Sequence, residues 1–363
     1  MWTYFIHDTL TGARRQQVYA AQASFSALVS DTGSGTHTFQ ARESGLRPDD
    51  WRSLTYPWAN TLVQCWEDVP IYAGLVQTSK LNRASGNLTV TSRELRLILN
   101  RRFPFRVGGE RVAADGLVLT NRSLRGLIVD IVRSGVNKAN GNDGWNLPVA
   151  LPAAEAGSES ATFWNYDFVT VENAIAEIEG RDSGPDVVFQ PRLTGGRLDW
   201  ELRVGSPRLA GETFPYPMGV PEPFLFDVED TVDGTEMLTG VFAIGKGSEA
   251  DMRVGEAGLE GVIASTPYLD SSRSFKELED IGQLVSHGRG ELRAHAAPTH
   301  QWELKTLAGQ YPGADRLRLG SVIRMRYSGD WWEPDSELDQ YLIGIRGDHT
   351  DRLTLDTQPM RSL

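Results

Sequence analysis

Pro70-Ile-Tyr-Ala-Gly-Leu-Val-Gln-Thr-Ser79 and Asn87-Leu-Thr-Val-Thr-Ser-Arg-Glu-Leu-Arg-Leu97, separated by Asn82-Arg-Ala-Ser-Gly86, decide how this chain is read. Both stretches are dominated by β-branched and aromatic residues, and apolar side chains alternate at Leu88, Val90, Leu95 and Leu97, the period of a half-buried strand. The break between them is turn chemistry, so the pair predicts a β-hairpin. Upstream, Ser24-Phe-Ser-Ala-Leu-Val-Ser30 and Thr36-His-Thr-Phe-Gln40 flank Asp31-Thr-Gly-Ser-Gly35 in the same way, two strands about a glycine turn. Residues 1–105 are therefore expected to form a β unit.

Beyond residue 105 the period changes. Leu124, Leu127, Ile128, Ile131 and Val132 form the stripe of an amphipathic helix over 121–135, with Gly135 as its expected stop. After a Gly/Asn/Ala/Ser-rich stretch over 137–160, Thr170 caps a second helix carrying Val171, Ala174, Ile175 and Ile178 and ending at Gly180. Asp186-Val-Val-Phe-Gln-Pro-Arg-Leu193 and Arg197-Leu-Asp-Trp-Glu-Leu-Arg-Val204 predict a hairpin about Gly195-Gly196, completing an α+β unit over 106–211. Phe214-Pro-Tyr-Pro-Met-Gly-Val-Pro-Glu-Pro223 reads as a stiff connector, because each proline fixes φ and removes a donor. In the last unit, 212–363, Thr239-Gly-Val-Phe-Ala-Ile-Gly245 reads as a strand. A helical stretch over 274–295 is expected to start on a Ser274 and Glu277 capping box, with Leu278, Ile281, Leu284 and Val285 inward and Gly282 and Ser286 offering a close approach. Alternation in Arg316-Leu-Arg-Leu-Gly-Ser-Val-Ile-Arg-Met-Arg-Tyr327, Gln340-Tyr-Leu-Ile-Gly-Ile-Arg346 and Arg352-Leu-Thr-Leu-Asp356 predicts a C-terminal β unit, a small barrel or sandwich. The fold class is β-rich α+β: two β units flank an α+β unit, with room for a diverged duplication.

Composition narrows the function. The 363 residues carry 36 Lys+Arg against 48 Asp+Glu, a net charge of −12, which opposes a surface that grips nucleic acid. No apolar run approaches the roughly 18 residues of a membrane span; Gly126-Leu-Ile-Val129 is broken by Asp130. Arg14, Arg15, Gln16 and Gln17 stand where a signal peptide would need its apolar region, so Met1 reads as the start of the folded domain. Cys65, the single cysteine, excludes internal disulfides and is read as a small buried hydrophobe.

The motifs of common enzymes are absent: no Gly-x-Ser-x-Gly elbow, no His-Glu-x-x-His, no Walker loop. Gly33-Ser-Gly35 and Gly245-Lys-Gly247 read as turns. His295 and His300, five apart, lack the spacing of a helical zinc pair, and His7, His37, His287 and His349 are scattered. The doublets Asp49-Asp50, Glu67-Asp68, Glu229-Asp230 and Glu279-Asp280 read as solvated faces. A glycosidase would need two carboxyls ~5 to 9.5 Å apart. The ten tryptophans, Trp331-Trp332 among them, favour core and corner packing but leave a sugar-stacking surface open. No catalytic residue, cofactor or metal ligand is assigned.

The order of features carries a resemblance. Phe25-Ser-Ala-Leu-Val-Ser-Asp-Thr-Gly-Ser-Gly-Thr-His-Thr-Phe39, the Trp58 to Trp66 stretch, Val69-Pro-Ile-Tyr-Ala-Gly-Leu-Val76 and Gly86-Asn-Leu-Thr-Val90 resemble the first hub domain of siphophage tail-tip proteins. Thr170-Val-Glu-Asn-Ala-Ile-Ala-Glu-Ile178, the 187–205 hairpin, Leu238-Thr-Gly-Val-Phe-Ala-Ile-Gly-Lys-Gly247, the stretch from Ser274 to His295 and Leu319-Gly-Ser-Val-Ile-Arg324 are similar to its later domains. The nearest sense is the minor tail proteins of actinobacterial siphophages, similar in fold to the baseplate hubs of contractile-tailed phages. The resemblance implies a structural protein of the virion tail tip, assembled in the host cytoplasm. It would be a homotrimer in which two related β-barrels per subunit, 1–105 and parts of 212–363, make a pseudo-hexagonal ring beneath the tail tube. The implied partners are the distal tail protein, the tape-measure protein and tip or receptor-binding proteins, with DNA only in transit through the lumen and no stable membrane insertion. Some members continue into a lysin module; the chain's end at Leu363 leads to the expectation that it carries no cell-wall hydrolase. The alternative is a carbohydrate-binding or carbohydrate-degrading β protein acting on the host cell envelope.

Overall fold

The computed structural model describes residues 1–105, 114–137, 145–221, 223–258 and 267–360. Its first part contains β1 (Trp2–Asp8), β2 (Arg14–Val18), β3 (Ala20–Leu28), β4 (Ser34–Gln40), α1 (Pro48–Leu54), β5 (Asn60–Trp66), β6 (Val69–Leu81) and β7 (Asn87–Glu94). A 3-10 turn over Leu95–Arg101 leads to β8 (Gly116–Arg122), α2 (Leu124–Val136), β9 (Val149–Ala150), β10 (Glu159–Trp164), α3 (Val171–Glu179), β11 (Val187–Thr194) and β12 (Arg197–Val204). The last part contains β13 (Thr213–Pro217), β14 (Phe226–Asp233), β15 (Gly240–Ile244), β16 (Val254–Gly258), β17 (Asp270–Ser274) and α4 (Ile281–His295). It ends with β18 (Thr299–Leu307), β19 (Val322–Tyr327), β20 (Ser336–Asp348) and β21 (Arg352–Pro359).

Thirteen strands from the first and last parts share one sheet, ordered β14-β18-β21-β20-β3-β4-β7-β6-β5-β1-β2, with β19 also on β20 and β13 on β19. The expectation of two barrels is corrected here: the path is open, with β14 and β2 at its ends. The two halves nevertheless repeat one another. In β3-β4-β7-β6-β5 and in β14-β18-β21-β20-β19 the five strands follow in the same chain order and the same sheet order, every neighbouring pair antiparallel. They diverge at the sixth strand, since β1 runs antiparallel to β5 but β13 parallel to β19.

The hairpin about residues 82–86 forms as its sequence dictates, β6 on β7 from Gly74 opposite Glu94 to Leu81 opposite Leu88. The strand stops at Glu94 rather than continuing to Leu97, because Leu95 and Leu99 bury themselves through the 3-10 turn instead. Every residue of β5 is buried, since the strand is sandwiched: Val63 and Cys65 face the core of α2, α3, β11 and β12, and Leu62 faces a second core with Tyr4, Phe39, Trp51 and Val90. Cys65 is thus the small core hydrophobe its context suggested, its thiol pushed up to about 12 by burial.

Helix α2 begins at Leu124, three residues after the expected start because 121–122 end β8, with the Ser123 hydroxyl accepting from Gly126 N–H; α3 is capped by Thr170 through Asn173 N–H. Gly135 does not stop α2, which runs to Val136. A Cβ there would lie 2.9 Å from Val171 Cγ1, so the glycine lets α2 and α3 approach.

Two further readings are corrected. The proline stretch at 214 enters the sheet as β13, an edge strand that buries Phe214 and Tyr216 and turns Pro215 and Pro217 outward, the placement an edge strand tolerates. Residues 270–274 are the strand β17, parallel to β15, so α4 starts at Ile281 and is capped by Asp280, whose carboxylate accepts from Gln283 N–H. Its buried face is Leu284, His287, Gly288 and Leu292. The close approach falls at Gly288 against Ala243 and Ala257 rather than at Gly282 and Ser286.

Candidate functional site

Every part of the chain meets at the turn between β3 and β4, residues 28–34. Val29 N–H donates to Ile343 O of β20 (2.8 Å), and Ser30, held at φ +54°, donates to Val187 O of β11 (3.0 Å) while its hydroxyl accepts from Val187 N–H (3.1 Å). Gly33 N–H donates to the Glu94 carboxylate at the end of β7 (2.8 Å), and Glu94 N–H returns to Gly33 O (3.1 Å). Next to this turn β3 pairs with β20, Ser24 opposite Asp348 through Leu28 opposite Gly344. Phe25, Ala27 and Ile345 are buried at the joint, and Gly347 sits where a Cβ would meet the Phe25 ring at 2.6 Å. Tyr341 adds a second tie: its hydroxyl donates to Asp186 (2.6 Å) and accepts from Leu209 N–H (2.9 Å).

Charge is handled at this junction by pairing. Arg96 is buried with its Nε on Glu172 (2.7 Å) and its two Nη atoms on Glu179 (3.0 and 2.5 Å), fastening α3 to the first part. Glu94 has no such partner. Its side chain borders a cavity of about 40 Å³, and burial pushes its carboxyl up to about 8 against the pull of the Gly33 and Leu28 amides, with Asp31 adding to the rise and Arg96 opposing it. The sign follows: between the unfolded value near 4.5 and about 8 the unfolded chain sheds this proton while the fold keeps it, so stability falls as pH rises through that window. The slope from this group is at most about 1.4 kcal/mol per pH unit. Glu94→Gln is expected to flatten the melting-temperature profile between pH 5 and 8, and an unchanged slope in thermal unfolding would refute the assignment.

The singled-out residues are dispersed among structural tasks. His7 Nδ1 lies 3.0 Å from Gly12 O, His37 Nε2 lies 3.0 Å from Gln64 Oε1, and burial lowers both rings' pKa, that of His37 to about 4. His287 packs on the Phe275 ring, and His295 Nδ1 is 2.8 Å from Glu291 O. The side chain of His300 lies outside the described residues, among which no cluster of three or more His, Cys, Asp or Glu is placed to hold a metal. Of the acidic doublets, Asp50 closes the first turn of α1 on Arg47, Glu67 and Asp68 form the β5–β6 turn with positive φ, Glu279 pairs with Lys246, and Asp280 caps α4. Glu229 and Asp230 sit on the edge strand β14.

Two surface features had no sequence signal beyond residue type. An open cleft of about 410 Å³ is lined by Arg203, Arg316 and Arg318 but also by Glu201, Glu212 and Asp315, so it offers no one-sign field; Arg203 is spent on Leu319 O and Ala210 O, and Arg316 on Glu212. Trp331 and Trp332, by contrast, are 90% and 71% exposed at the tip between β19 and β20, their rings 5.5 Å apart and tilted by 58°. No described helix is long and apolar enough to cross a membrane.

This β-rich fold with few helices is similar to that of phage tail proteins of known structure. The chain is similar to the 43 kDa tail protein of prophage MuSo2 from Shewanella oneidensis, with a TM-score of 0.59 at 10% identity over 98% of both chains. It is also similar to the tail protein from Neisseria meningitidis MC58, TM-score 0.57 at 10% identity over 98% of this chain and 96% of that one. Prophage tail protein gp18 from Listeria monocytogenes EGD-e gives 0.53 at 10% identity over 99% and 95%. No protein-family model and no curated protein sequence matches the chain.

Proposed function

We propose that the protein is a structural, non-enzymatic component of a phage tail, the hub of the tail tip in the virion. Three copies form a ring that closes or continues the tail tube, joins the distal tail protein to the tip or fibre, and leaves a channel for DNA. The observation that carries this reading is the end-to-end likeness to tail proteins, which spans nearly the whole length of both chains. The repeated five-strand unit supports it, because three copies of a twofold-repeated chain present six similar elements to a sixfold tube. A net charge of −12 suits a lumen that must not trap DNA, and the tape-measure protein is the expected occupant of that lumen before ejection. Light scattering and negative-stain images of the purified chain are expected to give a trimer with threefold ring views; a monomer at every concentration would overturn the ring.

The second reading, a surface that binds carbohydrate of the host envelope, is favoured by the exposed indoles of Trp331 and Trp332. It expects glycan binding that falls at least tenfold in Trp331→Ala and Trp332→Ala while melting temperature is unchanged, since exposed side chains contribute within about 0.5 kcal/mol to stability. Wild-type protein that ignores an array of host cell-wall glycans removes this reading.

A further inference from the structure

The duplication leaves one joint made and its equivalent unmade. In the last part, β20 spends its first half on β19 (336–341) and lays its second half, residues 344–348, against β3. The equivalent strand β6 is also 13 residues long and likewise spends its first half on its neighbour, here β5 (69–75). On the same side its second half, residues 78–81, has no strand among the described residues. Even the residue before the joint corresponds: Val76 O accepts from Trp58 N–H just before β5, as Leu342 O accepts from Gly320 N–H just before β19. The equivalent of β3 is β14, which among the described residues pairs as a strand only with β18 and ends the sheet. Among the described residues, one chain therefore carries two unlike edges without a strand neighbour, and it has already built their union once internally.

Resting on the ring reading above, we infer that β14 of one copy pairs antiparallel with residues 78–81 of β6 in the next, repeating between copies the β3–β20 joint within each. An edge strand left bare is a template for pairing, and two unlike edges on one chain generate a head-to-tail contact that closes into a ring. Aligned by their registers on the flanking strands, residues 230–233 lie along 78–81, the buried pair of Phe25 with Gly347 is replaced by Asp230 opposite Leu81, and Lys80 falls opposite Thr231. Charge is complementary, since Glu229 and Asp233 of β14 lie diagonal to Lys80 of β6 on the same face. Each edge also exposes one apolar side chain, Val232 (56%) and Leu81 (51%). The permanent joint is apolar and the one between copies is ionic, which suits an interface formed after folding and weakened by salt.

The test is a cysteine pair in the full chain, Ser79→Cys with Val232→Cys, directly opposed and both exposed; the native Cys65 is buried. Under mild oxidation the double variant is expected to give a covalent ladder ending at a closed trimer on non-reducing gels, whereas each single variant gives no ladder. Lys80→Glu is expected to weaken association about threefold, with recovery in Lys80→Glu combined with Glu229→Lys. A double variant that is trimeric by light scattering but yields no ladder overturns this joint and leaves the ring standing. Wild type that stays monomeric at all concentrations overturns the ring and the joint together.

Discussion

Arg96→Ala is expected to cost about 3–5 kcal/mol, the penalty for removing one partner of a buried ion cluster. Arg96 is 3% exposed and makes three charge-assisted hydrogen bonds, so its loss strands Glu172 and Glu179 on one face of α3 without a cation; Glu172 Oε2 already has no hydrogen-bond partner. Burial already raises the Glu172 carboxyl, and without Arg96 the fold must hold it protonated while the unfolded chain ionises it near 4.5. The deficit therefore grows as pH rises through that value. Denaturant unfolding at pH 4.5 and 7.5 checks this: a smaller loss at the lower pH is expected, and equal losses would mean that Arg96 acts through packing alone.

Phe25→Ala is the second large effect, about 3–5 kcal/mol from the lost transfer energy and the cavity left behind. The ring is 4% exposed, lies 5.7 Å from Trp2 and 5.8 Å from Tyr72, and fills the space that Gly347 keeps open. Because it sits on the only strand pair joining the two halves of the sheet among the described residues, the damage should localise. Hydrogen exchange is expected to lose protection first at Ala27 and Ile345, before the β5 and β6 amides. Uniform loss across both halves would place the weak point elsewhere.

Local structure was legible wherever a short-range rule governs it. The β6–β7 hairpin, the Thr170 cap and the stripe of α2 each rest on residues within one turn or one strand pair. The α4 start was misplaced for a physical reason: Ser274 and Glu277 satisfy the spacing of a capping box, but β15 recruits 270–274 as a parallel neighbour, and Asp280 offers an equivalent carboxylate six residues later. The proline run misled because a missing donor matters only on a strand bonded on both sides, and β13 is bonded on one. The junction at residues 28–34 was illegible. Alternation in Ser24-Phe-Ser-Ala-Leu28 shows which face is buried but not that its partner begins at residue 344, a choice made by tertiary packing. The same limit hid the edges of β14 and β6, whose side chains read as ordinary solvated residues.

The module of β15, β16, β17 and α4 is inserted between β14 and β18, and Asp233 and Thr299, the residues on either side of it, are themselves a paired position. The polypeptide departs from the sheet and rejoins it at one rung of the ladder. Its own small core of Leu238, Val241, Ala257 and Leu292 is separate from the others. The site is therefore a natural socket: cargo of different size or chemistry could be exchanged there, or a two-residue turn substituted, without disturbing the register of the scaffold beneath.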